Sequence, residues 1–209
     1  MTPDGISVQK QRTEQTIDHF GNLKQSKIYG YGSPAALLRT FDSVYRHEAA
    51  SGASDYAAYG SSRIRHRLVK ATMTVAGGNP VTLVTNAYDE HGAYVPCSPV
   101  AMTLSAPTSS ITMHDDTNYG TAFTRRGNLT SSRAMQDSWG CKSYETTGNL
   151  LTSFGPSQPT VNVIPSAQRN NAAPQAMSVG GLTTTFDWNG LLQLTGVDGA
   201  EQCDDLDQL

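Results

Sequence analysis

The chain has 209 residues, a net charge of −3 and three cysteines. No apolar run approaches the ~18 residues of a membrane-spanning helix, so the sequence predicts no membrane span. The near-neutral charge argues against a dedicated nucleic-acid-binding protein. Three cysteines without a CxxC pair do not predict a disulfide framework, and their odd number fits a free thiol or incidental cysteines.

Charged residues make up 16% of the chain, below the ~25% of an ordinary globular domain. Serine (20), threonine (23) and glycine (19) fill the difference. Turn and strand formers therefore outnumber strong helix formers, and the composition predicts a β-rich protein. The first 15 residues lack the apolar region of a signal peptide, so we expect an export signal, if there is one, to lie elsewhere.

The first predicted element, residues 34–46, has an apolar spacing that fits an amphipathic helix and a strand equally well. Residues 67–75 alternate and contain β-branched side chains, which predicts a strand. A Gly-Gly-Asn-Pro turn at 77–80 and a second strand at 81–88 complete a predicted hairpin.

The C-terminal part is predicted to be less regular. Residues 98–110 mix Pro, Ser, Thr and Ala, and residues 155–181 contain four prolines without clear periodicity, which is typical of a long loop or linker. Short strands are predicted at 183–186 and 191–197 around a tight reversal at 187–190. The acidic residues 201–209 are interpreted as a solvated tail because no turn chemistry organises them as a cation site.

A short motif recurs along the chain: a large apolar residue, an acid and, three residues after the acid, a glycine. Its four instances are Ile17-Asp18-His19-Phe20-Gly21, Tyr88-Asp89-Glu90-His91-Gly92, Tyr144-Glu145-Thr146-Thr147-Gly148 and Phe186-Asp187-Trp188-Asn189-Gly190. The three aromatic instances compare with about 0.1 expected by chance, so the recurrence is a signal. Gly-Asn-Leu also occurs three times, starting at Gly21, Gly127 and Gly148.

The motif is typical of a hairpin in which the aromatic residue ends one strand and packs on its neighbours. The acid can accept backbone N–H bonds across the turn, and the glycine allows the chain to reverse. Four similar acids on separate hairpins therefore indicate a structural role for Asp18, Asp89, Glu145 and Asp187, and not a catalytic one.

These residues resemble the repeat of RHS/YD-repeat proteins, Tyr-Asp-x-x-Gly-Asn/Arg-Leu followed by a β segment. Residues 144–156 resemble a nearly complete repeat with Glu in place of Asp, and residues 186–199 resemble another with Phe in place of Tyr. Residues 18–32 and 114–130 are similar to stretches between repeats. The chain is accordingly divided into a repeat region (1–153), a Pro/Ser/Asn-rich loop or linker (154–181), a further repeat (182–199) and an acidic tail (200–209).

The resemblance implies antiparallel hairpin repeats that form a curled sheet, part of a hollow β-shell. In bacterial members such a shell encloses a cargo, often a toxin domain, and performs no chemistry itself. We therefore expect a non-catalytic structural segment of a secreted or cell-surface, toxin-related protein. Its expected partners are the remainder of the shell or the cargo, with no cofactor and no specific nucleic acid. Four repeats are too few for a closed shell, so a fragment or a short member is expected.

An alternative function is a carbohydrate-binding, adhesin-like β module, suggested by the Ser/Thr/Tyr-rich composition. A basic cluster of Arg63, Arg65, Arg67 and Lys70 could bind a polyanion or glycan, or form the solvated face of a strand. The run His114-Asp115-Asp116 does not predict a metal site, because consecutive strand residues point to alternate faces; a polar turn is the simpler interpretation. No catalytic motif accompanies the cysteines or histidines, so no enzyme and no metal are predicted.

Overall fold

The structure, a computed structural model, describes residues 10–48, 64–91, 97, 104–107, 111–112, 114–135, 138–155 and 157–199. These residues form thirteen strands but only one α-helix of four residues, which confirms the predicted mainly-β class. No helix in this part of the chain is long and apolar enough to cross a membrane. Cys203, the tail at 200–209 and most of residues 98–110 lie outside the described residues.

The strands, in chain order, are β1 (Thr13–Ile17), β2 (Leu23–Tyr29), β3 (Leu37–Tyr45), β4 (Leu68–Val75), β5 (Val81–Tyr88), β6 (Leu104–Ser105), β7 (Leu129–Ala134), β8 (Gly140–Glu145), β9 (Leu150–Gly155), β10 (Gln158–Pro165), β11 (Pro174–Val179), β12 (Leu182–Trp188) and β13 (Leu194–Gly199). The helices are η1 (Arg46–Glu48, 3-10), α1 (Asp116–Tyr119) and η2 (Ala167–Arg169, 3-10).

The strands follow one another in an open sheet with the order β1-β2-β3-β4-β5-β7-β8-β9-β10-β11-β12-β13. Each strand on this path lies beside its predecessor, which is the pattern of successive hairpins. The short strand β6 lies off the path and pairs in parallel with β8. The prediction of antiparallel hairpins is therefore confirmed.

The chain divides into two compact units, residues 1–88 with 132–137 and residues 89–131 with 138–209. In the first unit, the predicted hairpin is present as β4 and β5, with Met73 opposite Val81. Residues 34–46, which fit a helix or a strand, contain the strand β3. Pairing on both sides, with β2 and with β4, explains the strand, because tertiary pairing decides an ambiguous apolar spacing.

In the second unit, the predicted loop or linker at 154–181 is wrong, because this segment contains β10 and β11. The two strands pair from Val161↔Val179 to Pro165↔Pro174. The prolines lie at the strand ends, where a missing N–H is tolerated, and the valines of β10 alternate as a strand requires. The proline content of this segment indicates a loop from the sequence, but in the structure the prolines mark the ends of strands.

Each unit presents an apolar face that stays partly open to solvent. Cross-strand pairing puts Ile28, Phe41, Met73, Val81 and Val84 on one face of the first unit, and Val161, Val163, Met177, Val179, Leu182, Phe186 and Val197 on one face of the second. No described Leu, Ile, Val, Met, Phe or Trp side chain is buried. A sheet covered by a second layer would bury such residues, so these faces lack a packed core.

Among the described residues of the second unit, the buried hydrophobic cluster is a disulfide between Cys97 and Cys141, with the partly buried Trp139 and Phe154 packed against it. The Cα atoms of the two cysteines are 5.9 Å apart. The interpretation of the cysteines as free or incidental is therefore wrong for this pair. The bridge joins β8 to the connection between β5 and β7, a contact that sequence spacing does not reveal.

Candidate functional site

The first recurrent motif forms a tight turn between β1 and β2. The N–H of Asp18 donates to the carbonyl of Asn22 (2.9 Å), and the N–H of Gly21 donates to the carbonyl of Asp18 (3.1 Å). The Asp18 carboxylate accepts the N–H groups of Phe20 (2.8 Å) and Asn22 (2.9 Å) and the side-chain amide of Asn22 (2.8 Å). Gly21 has φ +87°, a backbone conformation that favours glycine.

These hydrogen bonds control the charge of Asp18. Desolvation by burial raises its pKa, but the hydrogen bonds from Asn22 and from the Phe20 N–H, together with nearby His47, outweigh it and lower the pKa to about 2. The acid is thus held ionised by the turn that it organises.

The same turn joins β8 and β9. The N–H of Glu145 donates to the Asn149 carbonyl (3.0 Å), the N–H of Gly148 donates to the Glu145 carbonyl (2.9 Å), and Gly148 has φ +92°. The longer Glu145 side chain binds side-chain donors, namely Thr147 Oγ1 and Asn149 Nδ2 (2.6 Å). Glu145 is 2% exposed, so this carboxylate is buried with its hydrogen-bond donors.

A third copy of the turn, between β12 and β13, lies two residues later than predicted. The N–H of Asn189 donates to the Gln193 carbonyl (3.0 Å), and the N–H of Leu192 donates to the Asn189 carbonyl (3.1 Å). Asn189 Oδ1 accepts the N–H groups of Leu191 (2.9 Å) and Gln193 (3.0 Å). Asn189 therefore has the role of Asp18, and Leu192, with φ +59°, has the place of Gly21.

The roles predicted for Phe186, Asp187 and Gly190 are accordingly wrong. Phe186 and Asp187 lie within β12, opposite Val197 and Gly196, and Trp188 ends the strand. A search for an acid before a glycine cannot find this turn, because an amide oxygen accepts the same hydrogen bonds as a carboxylate.

The Asp89 motif is completed by residues far along the chain. Asp89 accepts the N–H groups of Gly127 (2.7 Å) and Asn128 (2.8 Å), and its own N–H donates to the Asn128 carbonyl (2.9 Å). Gly127 has φ +71°. The Gly-Asn-Leu at 127–129 is thus the second half of the motif begun by Tyr88 and Asp89, with an insertion between the halves. Gly92, the predicted partner, lies outside the described residues.

Three strands end in an aromatic residue whose polar atom donates to the carbonyl of the first residue of the neighbouring, preceding strand, and Tyr144, the residue before the end of β8, makes the same hydrogen bond. The pairs are Tyr45–Leu23 (3.3 Å), Tyr88–Leu68 (3.0 Å), Tyr144–Leu129 (2.9 Å) and Trp188–Pro174 (2.6 Å). Burial raises the pKa of Tyr88 and Tyr144, which keeps their hydroxyls as donors. The aromatic position is therefore a hydrogen-bonding position as well as a packing one.

Side chains also join neighbouring turns within each unit. Asn22 Nδ2 donates to the carbonyl of Arg65 (3.0 Å) in the β3–β4 connection. In the second unit, Asn149 Nδ2 donates to the Asn171 carbonyl (2.6 Å), and Asn171 Nδ2 donates to Glu145 Oε2 (3.0 Å). In two of the three Gly-Asn-Leu sequences, the asparagine thus links one turn to the next.

Two of the four residues of the predicted basic cluster lie against aromatic rings. The Arg65 guanidinium lies 4.3 Å from the ring centroid of Phe20, and that of Arg67 lies 6.0 Å from the ring of Tyr88. Lys70 is exposed on β4, and Arg63 lies outside the described residues. The structure therefore gives Arg65 and Arg67 packing partners within the first unit.

The residues His114, Asp115 and Asp116 form a polar turn at the start of α1. Asp115 caps the helix by accepting the Asn118 N–H (3.1 Å) and side-chain amide (2.6 Å), and these bonds lower its pKa. His114 Nδ1 lies 2.8 Å from Asp116 Oδ1. Of the described residues, only Asp18, His47 and Glu48 place three candidate metal-ligating side chains together.

A scan against protein-family models finds no match to this chain, and a search of curated proteins finds no significant match.

The Leu192 position gives a direct test of the shared turn. Leu192→Gly is expected to raise the free energy of unfolding by about 0.5–1 kcal/mol, because a left-handed backbone costs a leucine more than a glycine. The leucine is 45% exposed, so little burial is lost. Urea unfolding monitored by tryptophan fluorescence measures this change in the free energy of unfolding, since both tryptophans lie in the second unit.

Gly148→Ala is the matched control at the equivalent position and should lower the same free energy by about 1 kcal/mol. An added Cβ at Gly148 meets no atom within 4 Å, so the loss would come from the backbone alone. A destabilised Leu192→Gly variant would show that the two turns are not equivalent.

Proposed function

We propose that this chain is a non-catalytic structural segment of the RHS/YD type, part of a β-shell of a secreted or cell-surface, toxin-related protein. The observation that carries the proposal is the turn that closes β1–β2, β8–β9 and β12–β13 with the same backbone hydrogen bonds. Such repetition of one supersecondary unit is typical of repeat architectures.

The engagement of the recurrent acids supports a structural role. Asp18, Asp89 and Glu145 each accept two or more hydrogen bonds from the turn that they close. A general base or nucleophile needs its oxygen available to a substrate. Three of the four acids that the sequence repeats therefore close hairpin turns, and Asn189 replaces the fourth, Asp187.

The open faces and edges support a segment that belongs to a larger assembly. The apolar faces of both units are only partly buried, and β1 and β13 are the ends of the strand order. Unpaired strand edges are sites at which further strands add. The disulfide between Cys97 and Cys141 is consistent with an oxidising compartment, as a secreted protein requires.

Hydrogen exchange on β13 tests the proposal. Amide exchange of Leu194–Gly199 is compared between this chain and the longest product of its gene. If the chain is a shell segment, added strands should protect the outward-facing amides of β13 in the longer product. Equal exchange of these amides in both proteins would contradict a sheet that continues beyond β13.

A further inference from the structure

Three side chains from two hairpins of the first unit converge next to the Asp18 turn. His47 Nε2 lies 3.3 Å from Asp18 Oδ2 and 3.7 Å from Glu48 Oε1. Asp18 follows β1, whereas His47 and Glu48 belong to η1, which follows β3. The ligand atoms of all three lie within 4.8 Å of one another.

The spacing of these atoms fits the coordination shell of zinc. Zinc binds histidine nitrogen at about 2.0–2.1 Å and carboxylate oxygen at about 2.0–2.2 Å, and tetrahedral ligands at such lengths lie about 3.3–3.5 Å apart. The Asp18–His47 separation is of this size, and the His47–Glu48 separation exceeds it by a few tenths of an ångström. The ligand atoms of Asp18 and Glu48 lie within 4.8 Å of each other, so movement of the Glu48 side chain would bring all three ligands into a tetrahedral shell.

Burial favours Asp18 and His47 as ligands, and packing orients the imidazole, whereas Glu48 lies at the exposed side of the cluster. The His47 side chain is 8% exposed and that of Asp18 is 9% exposed. The imidazole is held edge-on against Phe20 (ring centroids 5.0 Å apart) and stacked near Tyr45 (6.2 Å), while its Nδ1 has no hydrogen-bond partner. The contacts with Phe20 and Tyr45 thus orient the imidazole so that Nε2 faces the two carboxylates, although Nδ1 makes no hydrogen bond.

Both carboxylates keep an oxygen directed at His47. Asp18 Oδ1 accepts two backbone N–H groups of its turn, whereas Oδ2, which also accepts the Asn22 amide, faces the imidazole. Glu48 Oε2 is bound by Lys24 and lies 3.3 Å from the Tyr45 N–H, which leaves Oε1 toward His47. Two anionic oxygens beside one imidazole nitrogen form a site that a cation would complete.

We propose that Asp18, His47 and Glu48 bind one Zn²⁺ ion, which links the β1–β2 turn to η1. A mixed nitrogen and oxygen set suits zinc, whereas Ca²⁺ and Mg²⁺ prefer oxygen ligands alone. With three protein ligands, the fourth position is left for water. The site goes beyond the structural role proposed above and does not depend on it.

Zinc titration of the chelator-dialysed full chain tests the proposal. Isothermal calorimetry should show one Zn²⁺ per chain with micromolar or tighter affinity, and His47→Gln should weaken binding at least tenfold. Co²⁺ should give the strong visible absorption of a tetrahedral complex in the native chain and lose it in His47→Gln. His114→Gln, which removes another imidazole beside a carboxylate, is the matched control and should bind Zn²⁺ as the native chain does.

A second variant covers the case in which His47→Gln does not fold, as judged by circular dichroism. Glu48→Gln keeps a side chain that can accept the Tyr45 N–H, removes one anionic ligand and should also weaken Zn²⁺ binding at least tenfold. The rival arrangement is a direct contact of His47 with the two carboxylates that involves no metal ion. Absence of stoichiometric Zn²⁺ binding by the native chain, or equal affinity in His47→Gln and His114→Gln, would overturn the proposal.

Discussion

Replacing both Cys97 and Cys141 by serine is expected to lower the free energy of unfolding of the second unit by about 4 kcal/mol. The bridge spans a sequence separation of 44 residues, and opening a loop of that size restores a large conformational entropy to the unfolded chain. Trp139 packs against the bridge, so its fluorescence during urea unfolding should report the loss directly.

Cys203→Ser is the matched control, because it removes a thiol without touching the bridge. It should unfold at the same urea concentration as the native chain under oxidising conditions. Dithiothreitol should move the native chain to the midpoint of the double variant and leave the double variant unchanged. A double variant as stable as the native chain would show that the bridge contributes nothing to the second unit.

The disulfide illustrates what the sequence can and cannot reveal. Three cysteines allow several pairings, and nothing in the spacing of Cys97 and Cys141 indicates that they meet. The contact follows from the insertion that separates Asp89 from Gly127, because this insertion carries Cys97 while β8 carries Cys141. Long-range contacts of this kind depend on which hairpin receives an insertion, and the sequence alone does not locate it.

Individual strands and turns are easier to predict from the sequence than such long-range contacts. Alternation predicts β4, and the turn at 77–80 with the strand after it predicts β5, each within one residue of its bounds. The role of Asp18 followed from the reach of its carboxylate over the next turn. The turn at Asn189 was missed because its amide replaces the acid and Leu192 replaces the glycine.

The proposed zinc ligands show why a sequence motif search does not find a site of this kind. The sequence predicts Asp18 as a turn residue, whereas His47 and Glu48 belong to no motif. They meet Asp18 only because β1–β2 and β3–β4 place their connections side by side. A motif search reads one segment at a time, so a site assembled from two hairpins has no sequence signal of its own.

Two substitutions of Glu145, the buried acid of the second unit, should differ strongly in their effect on the free energy of unfolding. Glu145→Ala is expected to lower the free energy of unfolding by about 3 kcal/mol, because it removes the acceptor of the Asn171 amide and of the Thr147 hydroxyl and one of the acceptors of the Asn149 amide. Tryptophan fluorescence during urea unfolding measures this change within the same unit.

Glu145→Gln should lower the free energy of unfolding by less than about 1 kcal/mol, although it removes the same carboxylate as Glu145→Ala. The new amide keeps one oxygen for Thr147 and Asn149 and turns an N–H₂ group toward Asn171. The Asn171 Oδ1 atom has no hydrogen-bond partner, so rotation of that amide by half a turn would supply an acceptor. Equal losses in Glu145→Ala and Glu145→Gln would instead show that the negative charge itself, and not the number of acceptors, holds the β8–β9 turn to its neighbour.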